Sequence, residues 1–383
     1  MTNRLTDIYR WSILLLSSLF LFIASYLIPQ NDWDLVGHLG SAFSFEYTGS
    51  KDIHQATYKE LSQSLSPDDL QEIMMGNAER EIWSNDAEAF VQVLPFYQPR
   101  VLLTLPTWIS FKLGYSPVEF IRIITSLSVA FGVIFFGLIF MNYMNRLMFL
   151  IFPVVVLIAG PLETARFEGA DSISFLLVSI LFLLISRRNI ACLIPLIILP
   201  LSRSDMVILV VCLVPLLMIV FWTMRVKVVL AILLSISSYY FVNQYFGNYG
   251  WSTQFYVVHV EYLARPAVID INITKDIYFD ALASGLVLLL YDKVFLFFVV
   301  CSLLVTAKLI EVSNYKWINN LMFHDISNMA ILYWMAFGSI IFVGIHFIVF
   351  PLVHIRYFSA QYLYLGLLLL SVFRSRNETA DGF

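Results

Sequence analysis

Charged residues are scarce in this chain: Lys, Arg, Asp and Glu make up 13% of its 383 residues, where soluble domains carry about a quarter. With so little polar surface, a mean hydropathy of +0.80 excludes a single water-soluble core, and the bilayer must solvate most of the chain. Cysteine is nearly absent as well. Cys192, Cys212 and Cys301 lie far apart inside apolar runs with no CxxC pair or Cys/His cluster, which argues against a disulfide framework or a zinc site and for small buried side chains. There is no glycine-rich phosphate loop, internal repeat or low-complexity tract. A formal net charge of −4 gives no basic footprint for a nucleic-acid partner.

What the chain has is apolar length. About 17–25 residues are needed to cross the hydrocarbon core, and candidate runs fall at 11–28, 119–141, 147–163, 172–186, 189–203, 205–223, 228–245, 284–309, 328–350 and 357–373. The fold class this predicts is all-α, a polytopic bundle of about ten transmembrane helices forming one domain over 1–383. The first run follows basic Arg4 and Arg10; it is long for a signal peptide and lacks a small-x-small cleavage site before Pro29, so it reads as a retained helix. The stretch 101–114 is apolar but short and contains Pro106 and Lys112, which predicts an interfacial helix, with a re-entrant segment as the other possibility.

Basic residues set the orientation. With the N-terminus cytoplasmic and ten alternating crossings, the cytoplasmic segments hold Arg4, Arg10, Arg146, Arg187, Arg188, Arg225, Lys227, Lys308, Lys316, Arg374 and Arg376, 11 of the 23 bases, against five of the 27 acids. Both termini are then expected in the cytoplasm. Two long segments, 30–118 and 246–283, are expected outside. The first carries helix signals, such as Ser66-Pro67-Asp68-Asp69 ahead of Leu70, Ile73 and Met74, so amphipathic helices are predicted there.

Charges at membrane depth are costly and mark functional sites. Asp32, Asp34 and His38 follow the first run; Glu163, Arg166, Glu168 and Asp171 precede the run at 172–186; Arg203 and Asp205 separate two more; His354, Arg356 and Tyr357 stand at the last. In this topology all of them emerge on the extracytoplasmic side. Each has a plainer reading, as helix flank, solvated loop, local ion pair or snorkelling anchor, and their common side is what makes a single site the better account. The chemistry that fits is displacement at a sugar carbon with a phosphate leaving group: a carboxylate takes the acceptor's proton and arginines hold the phosphate.

At these residues the chain resembles the GT-C superfamily of integral membrane glycosyltransferases. Asp32-Trp33-Asp34-Leu35-Val36-Gly37-His38 looks like the acidic first-loop motif that supplies the catalytic base, with Asp34 the first choice and Asp32 the second. Pro95-Phe96-Tyr97-Gln98-Pro99-Arg100 is similar to the family's aromatic-Arg-Pro-Leu stretch, with Arg and Pro in swapped order. Arg166-Phe167-Glu168-Gly169-Ala170-Asp171 resembles its acidic lead-in to a mid-chain helix. Leu201-Ser202-Arg203-Ser204-Asp205 is similar to its Arg-Pro-acid turn, with Ser204 at the proline position. His354-Ile355-Arg356-Tyr357 looks like its Glu/His-x-Arg-Tyr signature.

The resemblance implies an inverting transfer from a polyprenyl-phosphate-linked sugar to a glycan, lipid or protein acceptor on the extracytoplasmic face, with Arg356 on the phosphate. Arg100, His38, Arg166, Glu168, Asp171, Arg203, His354 and Tyr357 would line the substrate site. Asp32-x-Asp34 also has the form of a DxD motif, which leaves a divalent cation, Mg or Mn, open as a cofactor. The expected setting is a bacterial inner membrane, with membrane lipids as neighbours. Two other readings stand: a transporter or flippase of a lipid-linked substrate, and a polysaccharide polymerase or acyltransferase.

Overall fold

The computed structural model describes residues 2–268, 271–313, 327–352 and 354–372, and within them the chain is helical with no strand. Lys316, Arg374 and Arg376, which entered the charge count, lie outside the described residues. We number the helices α1 (Thr2–Leu27), α2 (Trp33–Phe43), α3 (Ser50–Ser64), α4 (Pro67–Met75), α5 (Ala78–Asn85), α6 (Ala87–Val93), α7 (Val101–Lys112), α8 (Pro117–Phe140), α9 (Arg146–Leu150), α10 (Phe152–Ile158), α11 (Pro161–Arg166), α12 (Asp171–Ser186), α13 (Leu193–Ile198), α14 (Met206–Val220), α15 (Arg225–Tyr245), α16 (Gly250–His259), α17 (Lys275–Tyr291), α18 (Lys293–Ser313), α19 (Asn328–Val349) and α20 (Ile355–Val372).

Among the described residues, five stretches are long and apolar enough to cross a bilayer: Asp7–Leu27, Pro117–Phe140, Trp222–Tyr245, Asn328–Val349 and Ile355–Val372. Helices α17 and α18 make a sixth if their bend of 86° is one broken crossing. This is the build of an integral membrane protein. The other expected runs are helical but shorter. The run 147–163 is divided into α9, α10 and α11, because Pro153 starts one helix and Gly160, at φ +88°, turns the chain into Pro161. A side chain at Gly160 would also meet Ile355, so glycine is required there twice over. At the break between α17 and α18, Asp292 accepts from the amides of Val294 and Phe295 at 2.8 and 3.1 Å, capping α18 as a side-chain acceptor does at a helix start.

Helix α8 is the spine, packing most extensively on α12 and α1. Small residues allow the approach: Gly137 faces Leu14 of α1, Gly132 faces Phe175 of α12, and the Ser25 hydroxyl donates to that of Ser126 at 2.8 Å. Helix α20 is buried along most of its length, and its Tyr364 hydroxyl donates to the Leu332 carbonyl at 2.8 Å. Many exposed leucines, valines and phenylalanines cover the outer faces of α1 and α15, as lipid contact requires.

The segment from α2 to α7 forms a helical cap over one end of the bundle. Ser66 caps α4, accepting from the Asp69 amide with Pro67 at the first turn, as the sequence predicts. Ile53, Leu61, Ile73, Trp83, Phe90 and Val93 fill the cap interior. The segment after α15 straps onto it. Asn248 donates to the Pro95 carbonyl at 2.8 Å, the Trp83 indole donates to Ala264 at 2.8 Å, and Arg265 pairs with Asp86.

Candidate functional site

Under the cap, one end of the bundle gathers the starts of α8, α12, α14 and α20 and the ends of α1 and α19. Seven of the residues singled out in the sequence meet there. Asp32 caps α2, accepting from the Trp33 amide at 2.6 Å, and this turn aims Asp34 inward. Arg356, in the first turn of α20, lies among three carboxylates: Asp34 at 2.7 Å, Asp171 at 3.5 Å and Asp32 at 3.6 Å. Arg203 pairs with Asp171, holds both oxygens of Asp205 at 2.9 and 3.0 Å, and stacks on the Tyr357 ring at 4.2 Å. Removing one member of so buried a network leaves an uncompensated charge, which costs about 3–5 kcal/mol.

Two features distinguish Arg356 and Asp34. Although Arg356 touches Asp34, neither its Nε nor its Nη1 makes a hydrogen bond within the described residues. The contact is a charge pair off the N–H direction, so the guanidinium fork keeps donors for another oxyanion. Burial alone would raise the Asp34 carboxyl, but Arg356, then Arg100 and His38, hold it well below the usual carboxylate range; the Tyr97 hydroxyl donates to its other oxygen at 3.0 Å. Asp34 is therefore a buried, ionised acceptor. Asp32 moves the other way: burial and the Asp34 charge push it up, against Arg356.

Arg100 and His38 form the next layer. Burial, then Arg100, lowers His38 to about 3, so the ring is neutral. Its Nε2 accepts from Arg100 at 3.3 Å, which places the hydrogen on Nδ1. Arg100 also lies 4.8 Å from the Tyr97 ring centre. Among the described residues it has no carboxylate within ion-pair distance. His354 packs edge-on against Phe167 at 5.0 Å, and burial, then Arg356, lowers it to about 4.

Two expected residues sit apart. Arg166 points outward, donating to the Ile28 carbonyl at 2.7 Å and lying 3.9 Å from Glu163. Glu168 takes a left-handed conformation, φ +51°, which turns its side chain in toward α8. There Arg122 donates to it at 2.7 Å, and to Glu119 at 2.9 Å and Asn31 at 2.8 Å. Burial pushes Glu168 up to about 7, only partly offset by Arg122. Sequence reasoning missed Arg122 and His346; the latter lies 3.1 Å from Asp205. Arg122 lies near the start of α8 and His346 near the end of α19, both within apolar runs where a titratable residue is conspicuous.

The cation question turns on Arg356. Its guanidinium lies among Asp32, Asp34 and Asp171, so these carboxylates face a resident cation, and among the described residues no group of three His, Cys, Asp or Glu is arranged to hold a metal ion.

Comparison with protein-family models, with curated proteins and with solved structures gives no match for this chain. Fold and site together define an all-helical membrane protein with a buried carboxylate–arginine centre at one capped end of its bundle.

Proposed function

We propose that the chain is a glycosyltransferase that moves a sugar from a polyprenyl-phosphate donor to an acceptor hydroxyl at this centre. The observation that carries the reading is the pairing of Asp34, ionised and buried, with Arg356, whose Nε and Nη1 make no hydrogen bond among the described residues. A base for the acceptor hydroxyl and a clamp for the departing phosphate within one centre are what displacement of a phosphate from a sugar carbon requires.

In the reaction, the acceptor oxygen bonds to the anomeric carbon from the face opposite the phosphate. The carbon–oxygen bond to phosphate breaks with its electron pair going to the phosphate, and the acceptor proton passes to Asp34. At rest Arg356 makes Asp34 a weak base. A donor phosphate competing for the guanidinium draws that charge off and raises the basicity of Asp34 as the substrate arrives. Arg100, which has no carboxylate partner to leave, supplies a second phosphate contact. Arg203 and Asp205 act by holding Asp171 and Tyr357 in place.

We read the short apolar helices as crossings completed with their neighbours, about ten in all. The termini are then cytoplasmic and the centre faces the outside of a bacterial inner membrane. The transporter reading has one observation in its favour, the broken pair α17 and α18, since discontinuous helices are common at transport sites.

The test is a panel of polyprenyl-phosphate sugars with the purified protein. Wild type is expected to turn over at least one, and Arg100→Ala to raise KM by about 10–100-fold, the loss of one charge-assisted hydrogen bond. Folded wild type that binds no donor contradicts the proposal.

A further inference from the structure

A slot runs from the charged centre into the bundle between α12, α14 and α20. Arg203, Arg356 and Asp171 stand at its rim, Phe175, Val178 and Met206 among its apolar walls, and Ser359 and Gln361 at its polar side. It encloses about 230 Å³ counted out to where it opens, yet its tight interior admits a group no larger than a water. Gln361 is 1% exposed, and neither its Oε1 nor its Nε2 has a hydrogen-bond partner among the described residues. An amide so buried loses its hydration without return, unless something small and polar enters the slot. Ser359 accepts from Thr164 at 2.7 Å, which leaves its own hydrogen to donate.

These groups fit a hydroxyl, which donates and accepts at once: Gln361 Oε1 can take its hydrogen while Gln361 Nε2 or Ser359 donates to its oxygen. A second phosphate oxygen would gain nothing from Oε1, and the slot is too tight for a ring. Gln361 lies five residues beyond Arg356, about 7.5 Å along the helix, a reach that suits a hydroxyl on a sugar whose phosphate is held at the rim. Resting on the glycosyltransferase reading, we propose that Gln361 is a specificity-determining residue that binds one hydroxyl of the transferred sugar.

The experiment compares dissociation constants of sugar-free polyprenyl phosphate and of the glycosylated donors, for wild type, Gln361→Leu and Gln361→Met. Wild type is expected to bind its preferred glycosylated donor about tenfold more tightly than the sugar-free lipid, the value of one or two neutral hydrogen bonds. In both variants that ratio should fall toward one with the sugar-free constant unchanged. Neither variant should melt lower, because an apolar side chain replaces an unpaired amide. A ratio preserved in either folded variant, or a ratio of one in wild type, overturns the role of Gln361 and leaves the phosphate site standing. If sugar-free polyprenyl phosphate does not bind wild type at all, the glycosyltransferase reading falls and this inference with it.

Discussion

Glu168→Gln is expected to change how stability depends on pH. Glu168 is 1% exposed, and burial raises its carboxyl from an ordinary 4.5 to about 7 despite Arg122. The folded protein therefore keeps a proton that the unfolded chain has released, and stability falls as pH rises through the window from about 4.5 to about 7. A gap of about 2.5 pH units at about 1.4 kcal/mol per unit makes the full loss about 3 kcal/mol, reached above pH 7. A glutamine keeps an oxygen for Arg122 and never ionises. Variant and wild type should match near pH 4.5 and diverge upward, with the variant the more stable by about 3 kcal/mol at pH 8. Thermal unfolding in detergent from pH 4.5 to 8 measures the difference, so the titration of the other carboxylates cancels. Parallel curves, or a variant less stable at pH 8, would show that Arg122 keeps Glu168 ionised and would refute the reasoning.

Gly37→Ala places a methyl group 2.6 Å from the Tyr97 ring; overpacking of this kind costs about 1–3 kcal/mol. Because Tyr97 donates to Asp34, donor turnover should fall further than melting temperature alone explains. Trp83→Phe removes the indole hydrogen bond to Ala264 and should cost about 1 kcal/mol. Limited proteolysis should then cut more quickly in the strap at 260–268 than elsewhere, and an unchanged cleavage pattern would place the strap's anchorage at Arg265 and Asp86 instead.

The sequence makes legible whatever local chemistry decides. Apolar runs become helices, and Ser66-Pro67 starts α4. Asp32, Asp34, Asp171, Arg203 and Arg356 each stand at the edge of an apolar run, where a charge is conspicuous, and the fold brings them within contact of one another. What is not legible depends on packing between distant elements. The left-handed turn at Glu168 sends its side chain to Arg122, 46 residues away, while Arg166, two residues before it, faces outward. Gln361 looks ordinary until both of its amide atoms prove to be buried without partners. The length of a crossing is also hidden where Pro153 and Gly160 divide an apolar run into pieces that composition cannot separate.

Asp34→Asn, assayed for transfer from the donor that wild type prefers, tests the central claim most directly. The substitution keeps the shape and an acceptor for Tyr97 while removing the base and its charge. Turnover is expected to fall by about 10²–10⁴-fold, the range of a positioned general base, while the donor still binds, because Arg356 and Arg100 remain. Turnover within a few fold of wild type would show that Asp34 takes no proton and would contradict the assignment of this centre.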